Sequence, residues 1–228
     1  MTDEIKILYE DCDTLVIDKP AGLLSEASDK HPSVIGALLS HVGGDFLSPI
    51  TRLDREVSGV MLLAKTAKGA AFYSALLSDR EQFKKEYLAV ITGHMEEKSG
   101  ELHDLLFKDS AKNKSYVVKR MRRGVKTATL AYEVLEETAG EDMLSLVHVV
   151  LHTGRTHQIR VQFSSRRHPL VGDRKYGGGD RLPMGLLSYR LTFKTVGGKQ
   201  LSLVSERRDR APFSMFRIPT AEKEQDSM

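Results

Sequence analysis

In the stretch Arg52-Leu53-Asp54-Arg55, one carboxylate stands between two arginines, immediately ahead of an apolar run from Gly59 to Ala64. Two neighbouring cations favour the ionised form of a carboxylate, so Asp54 is expected to be an anion at neutral pH. Such a group suits the work of a nucleophile or a base. A solvated turn that carries charge for solubility would have the same composition, and the stretch alone does not choose. Far downstream, Arg155, His157, Gln158 and Arg160 follow the strand-like LSLVHVVLHT in quick succession. Arg155 is expected where a strand hands over to a helix, a position at which side chains converge on clefts. A cation in a helix's first turn opposes the macrodipole, so an anion, either Asp54 or a phosphate, is expected beside Arg155. Tyr87, in KKEYLAV, reads by itself as a half-buried packing residue.

Other chemistries find little support. His148 and His152 are four apart, but in a strand that spacing spans roughly 13 Å, too far for one ion, and no metal site is expected. The glycines of Tyr176-Gly-Gly-Gly-Asp180 lack a Walker lysine and read as a flexible loop. There is no Gly-x-Ser-x-Gly elbow.

Charge points towards a polyanionic partner. The chain of 228 residues has a net charge of only +3, yet Lys108, Lys112, Lys114, Lys119, Arg120, Arg122, Arg123 and Lys126 crowd one segment against Asp109 alone. A second basic stretch runs through Arg155, Arg160, Arg166, Arg167, Arg174 and Lys175, while acids gather in YEVLEETAGED. This asymmetry is that of a protein that binds a phosphate backbone. The single cysteine, Cys12, excludes an internal disulfide and fits a reducing compartment. With neither a signal-peptide pattern nor an apolar run of the ~20 residues a membrane span needs, the chain is expected to be cytoplasmic and away from membranes.

The elements that must position these residues follow from periodicity and turn chemistry. IKILYE, TLVIDKP, GVMLLAK and KKEYLAVITG read as strands. TATLAYEVLEE and MLSLVHVVLHT read as a hairpin turning at TAGED, and LLSYRLTFK with KQLSLVS as another around Gly197-Gly198. SVIGALLSHV after Ser33, AKGAAFYSALLS, and GRTHQIRVQFSS after Gly154 carry helical spacing. The basic segment from Lys108 to Lys126 reads as a loop or exposed hairpin. The pattern predicts an α+β fold: a mixed, largely antiparallel sheet core flanked by helices and loops. It forms one domain over residues 1–210, followed by a polar C-terminal tail over 211–228.

Taken together, ILYEDCDTLVIDKPAGL, RLDREVSGVMLLAKT, KKEYLAVITG, LHTGRTHQIRVQF and HPLVGDRKYG resemble, in order, the motifs of the RluA-type pseudouridine synthase family. The resemblance covers Ile7 to about Phe193. It implies a pseudouridine synthase-like catalytic domain without the N-terminal RNA-binding domain that many relatives carry. It also implies an enzyme that needs no cofactor and isomerises uridines of tRNA or ribosomal RNA. The resemblance makes Asp54 the catalytic residue, with Tyr87 and Arg155 as its companions, and expects Arg155 to pair with Asp54. Arg52 resembles an arginine that contacts RNA where the target uridine is flipped out. Arg55, His157, Gln158, Arg160, Lys119, Arg120, Arg122 and Arg123 are expected to meet RNA, and the protein is expected to be a monomer. Two positions depart from the family's pattern: Thr51 stands where histidine is usual, and Leu187-Ser188 replaces part of a Leu-His-Ala motif. An RNA-binding protein that has lost catalysis is the second reading. A glycoside hydrolase is the third, and it lacks a motif for the second carboxylate that it needs.

Overall fold

The structure, a computed structural model, describes residues 4–79, 81–139 and 143–218. Among these residues eleven strands form one sheet. They are β1 (Lys6–Glu10), β2 (Thr14–Lys19), β3 (Ser48–Pro49), β4 (Ser58–Ala64), β5 (Phe83–Thr92), β6 (Ser99–Asp109), β7 (Lys114–Val118), β8 (Val125–Glu137), β9 (Leu144–Leu151), β10 (Leu186–Lys194) and β11 (Gln200–Val204). The main path runs β1-β2-β4-β10-β5-β9-β8-β6-β7, with β3 on β4 and β11 on β10. Among the described strands every pairing is antiparallel except β4 with β10, so the expected mixed, mainly antiparallel sheet is found. Among the described residues three α-helices, α1 (Val34–Leu38), α2 (Ala67–Leu76) and α3 (Gln158–Ser164), flank it.

The central strands are covered on both faces, which is why β4 reads as an uninterrupted apolar run. Successive side chains of a strand point to opposite faces. Leu15, Ile17, Met61, Leu63, Tyr87 and Ala89 therefore join one core with Ile159 and Phe163 of α3. Val16, Val60 and Leu62 join another with Tyr73 of α2, and Leu88 and Val90 a third. Burying a side chain of this size contributes roughly 1.5–3 kcal/mol, so the face that carries Tyr87 is anchored by the core itself. Gly59 permits the parallel pairing of β4 with β10: at φ +117°, a Cβ there would stand 2.2 Å from the carbonyl oxygen of Ser188.

Several local expectations need correction. The α1 segment is helical only over Val34–Leu38, capped by Ser33, whose hydroxyl accepts from Gly36 N–H; turn follows it where a longer helix was expected. The basic segment is indeed a hairpin, β6 with β7. The stretch from Ala211 is not tail throughout, because Phe213 and Phe216 are buried in the third core; residues 219–228 lie outside the described ones. The turn glycine and acids of TAGED (140–142) also lie outside them.

Candidate active site

Lys19 closes β2 and organises the loop that bears Asp54. It is 0% exposed, and its ammonium donates to the carbonyls of Val57 (2.7 Å) and Pro20 (3.0 Å), with those of Arg55 (3.4 Å) and Asp54 (3.5 Å) also in reach. Burial pulls its pKa down to about 8, with the Asp54 charge opposing that fall and the Arg207 charge adding to it. On the other side of the loop, Ser25 Oγ donates to Leu53 O (2.7 Å) and accepts from Leu53 N–H (2.9 Å). Backbone bonds on both flanks thus fix the direction in which Asp54 projects.

Arg160, in the first turn of α3, meets that carboxylate. Its Nη1 donates to Asp54 Oδ2 at 2.6 Å, while Nε and Nη2 grip Asp173 at 2.6 and 2.8 Å. Asp173 is fully buried, and its Oδ1 also accepts from the N–H groups of Lys175 and Tyr176. A guanidinium shared between two carboxylates in this planar way has its orientation fixed. Burial works against the Arg160 charge, but the bonds to Asp173 and the charge of Asp54 outweigh it and raise the pKa above its ordinary value.

His157 precedes α3 in a left-handed conformation, φ +54°. Its Nε2 lies 3.7 Å from Asp54 Oδ1 and its Nδ1 3.0 Å from the Tyr176 hydroxyl. Burial depresses its pKa, with the Asp54 charge opposing and the Arg160 charge adding, which favours the neutral ring. The Tyr176 hydroxyl also accepts from Ser115 N–H at 2.8 Å. The glycine run after it is therefore not a free loop as expected: a Cβ on Gly178 would stand 1.6 Å from Leu170 O, so only glycine fits there.

Tyr87 faces this group from β5. Its phenol is pushed up to about 12 by burial, with Ser188 pulling the other way and the Asp54 charge adding, and it is neutral at physiological pH. Asp54, Tyr87, Arg155, His157 and Arg160 line one cleft of about 920 Å³, together with the cations Arg52, Arg55, Lys85, Lys108 and Lys175.

The principal correction concerns Arg155. It was expected to pair with Asp54 from the start of a helix, but α3 begins at Gln158 and Arg155 lies ahead of it. Its Nε donates to Thr127 O at 2.9 Å, and Arg160 takes the place at Asp54. Gln158 is not free for RNA: buried, it accepts from Arg155 N–H and Thr153 Oγ1 and donates to Thr129 O, tying the strand end to the helix. Arg52 pairs with Glu26 at the exposed rim, and Arg55 Nε donates to Gly22 O. Lys119, Arg120, Arg122 and Arg123 are exposed in the turn between β7 and β8, outside the residues that line the cleft. Sequence reasoning gave no role to Lys19 or Asp173. A lysine closing an apolar strand and a lone acid within HPLVGDRKYG were the available signals. At Thr51 the hydroxyl accepts from Leu62 N–H, a backbone duty inside the sheet, and Ser188 Oγ donates to Val60 O.

A family model described as RNA pseudouridylate synthase matches residues 13–165, and the chain belongs to that family. Within it the chain is of RluA type. It is 37% identical over 79% of its length to ribosomal large subunit pseudouridine synthase D of Yersinia pestis, covering 55% of that protein. It is 34% identical over 78% of its length to the uncharacterized RNA pseudouridine synthase YhcT of Bacillus subtilis, covering 60% of it. The chain thus spans little more than half the length of these relatives. Among solved structures, human RNA pseudouridylate synthase domain containing 1 superposes with a TM-score of 0.75 at 24% identity, over 93% of this chain and 87% of that one. The human domain containing 4 gives 0.70 at 24%, over 88% of each. Those two likenesses establish the fold.

Proposed function

We infer that the chain is an RNA pseudouridine synthase that isomerises particular uridines in tRNA, ribosomal RNA or both, with Asp54 as its catalytic residue. The observation that carries this reading is the Asp54 carboxylate held at 2.6 Å by the immobilised Arg160, in a cleft walled by Tyr87 and rimmed by cations. The isomerisation breaks the bond between C1′ of the ribose and N1 of uracil, turns the base, and joins C1′ to C5. The proton lost from C5 balances the one gained at N1, so no oxidant or reductant enters. Asp54 either attacks C1′ or removes the C2′ proton, and it is regenerated by the end of the cycle. Arg160, turned by Asp173, orients the carboxylate for either route. The Tyr87 ring offers an apolar face for the uracil, and its phenol, neutral at working pH, acts as a hydrogen-bond donor rather than as a base. A paired uridine must leave its stack to arrive here, at a cost of a few kcal/mol, which contacts between the basic hairpin and phosphates offset. We also infer action in the cytoplasm as a monomer; sedimentation at micromolar concentration tests the latter, and a stable dimer would overturn it.

The test is a map of pseudouridine in total RNA from cells with and without the gene, complemented by wild type or by Asp54→Asn. Sites lost in the knockout and restored only by wild type are expected, and they would name the RNA. Restoration by Asp54→Asn would remove Asp54 from the chemistry. A map that does not change under any growth condition would leave RNA binding as the activity of the cleft.

A further inference from the structure

The charges around Asp54 balance without help from the rest of the cleft. The carboxylates of Asp54 and Asp173 stand against the guanidinium of Arg160 and the ammonium of Lys19. Of the other cations that line the cleft, Lys85 and Arg155 are both half-buried and belong to no such group. Lys85 is half-buried on β5, two residues before Tyr87. The two side chains therefore point to the same face, with Cα atoms about 7 Å apart, the span of one nucleotide. Arg155 lines the same cleft near enough for its charge to act on Lys85, and is anchored through Nε to Thr127 O. Between them Gly154 brings no side chain: a Cβ there would approach Lys85 Nζ to 3.5 Å. Among the described residues, neither cation has a carboxylate within ion-pair distance.

Two like charges held side by side at the wall of a cleft repel each other, and burial compounds the cost. Burial lowers the Lys85 pKa, and the Arg155 charge lowers it further. An arrangement of this kind is relieved by an anion that arrives from outside. Resting on the reading of the cleft as one that receives a flipped uridine, we propose that Lys85 and Arg155 form an anion subsite for a single phosphodiester of the RNA, the one adjoining the nucleotide whose ribose faces Asp54. Arg155 then serves the substrate backbone, and Arg160 serves the carboxylate. The subsite fixes how far the nucleotide can enter, so that the ribose stops at Asp54 while the base lies along Tyr87.

The experiment measures binding of a twelve-nucleotide oligouridylate to the full chain as a function of salt. The proteins compared are wild type, Lys85→Gln, Arg155→Gln, the double variant, and Lys85→Arg. Each phosphate neutralised on a single strand contributes about 0.7 to the slope of log affinity against log salt. If both cations hold one phosphate, each Gln variant loses about 0.7 of slope and several-fold in affinity at low salt, and the double variant loses no more slope than either single. Lys85→Arg keeps the wild-type slope. An unchanged slope in the single variants, a doubled loss in the double variant, or a loss in Lys85→Arg equal to that of Lys85→Gln would each overturn the proposal. The enzymatic reading is judged separately, by pseudouridine formation with wild type. Wild type that modifies RNA while the slopes stay unchanged removes the subsite alone. Shared slope loss in a wild type that makes no pseudouridine keeps the subsite and removes the enzyme.

Discussion

Arg160 and Arg122 show what one side chain does in two settings. Arg160 is 4% exposed and is gripped by two carboxylates. Arg122 is exposed in the turn after β7 and lies over the Phe107 ring, 5.0 Å from its centroid, with no carboxylate paired to it among the described residues. The inner guanidinium is committed to the fold before any ligand arrives, so its contribution is geometric. On the function proposed above, the outer one exchanges counterions for phosphates, so its contribution is to affinity and vanishes with salt. On that reading, a basic segment in a sequence divides by burial into residues that hold the chemistry in place and residues that gather substrate.

Arg160→Met breaks the inner half hardest. It leaves Asp173 buried without its bidentate partner, a change that costs about 3 kcal/mol, and it frees Asp54 to rotate. Denaturant unfolding is expected to show that loss, and pseudouridine formation is expected to fall by roughly 10²-fold or more. Adding Asp173→Asn to Arg160→Met should return much of the stability and none of the activity. If the double variant is no more stable than the single, the Arg160–Asp173 pair is not what the cost measures.

Lys19→Met tests the other inner cation, through pH. The folded pKa of about 8 lies below the ordinary 10.5, so the folded chain binds fewer protons across that window. Stability contributed by this site therefore rises with pH between about 8 and 10.5, and below 8 the penalty of burying the charged ammonium is present in full. Against Lys19→Met, which lacks the titration, wild type should gain on the order of 3 kcal/mol between pH 7 and 10.5, from ~1.36 kcal/mol per pH unit. A flat difference across that range would mean that Lys19 keeps an ordinary pKa in the fold.

A smaller effect is expected at Tyr87, on the wall between the two regimes. Tyr87→Phe keeps the ring and removes a neutral phenol, and it should lower kcat about tenfold while leaving KM near wild type. Tyr87→Ala should raise KM as well. Equal effects from both variants would assign the role to the hydroxyl and leave the ring none.

How far the site was legible in the sequence follows the same division. The strands were readable because their alternation matches two buried faces, as in Val16 and Ile17, and Asp54 was marked by its flanking arginines. The need for an anion beside a cation in the first turn of α3 was also readable, but it was attached to Arg155. The helix starts three residues later than supposed, and that offset hands Asp54 to Arg160. Lys19 and Asp173 left only faint signals, because their partners are backbone carbonyls and a guanidinium that only the folded chain brings within reach. The burial of Phe213 and Phe216 escaped for a related reason: two aromatics in a polar stretch carry no period.

The outer half should yield the least. Replacing Lys119, Arg120, Arg122 and Arg123 together by Gln touches exposed side chains in the turn between β7 and β8, so the unfolding midpoint should stay at its wild-type value. With saturating RNA, kcat should be unchanged. KM for RNA should rise several-fold at low salt and converge on wild type as salt increases, because the lost contacts are those that screening removes anyway. A fall in kcat that persisted at high salt and saturating RNA would place these residues in the geometry of the reaction, and the division between the two arginines would fail.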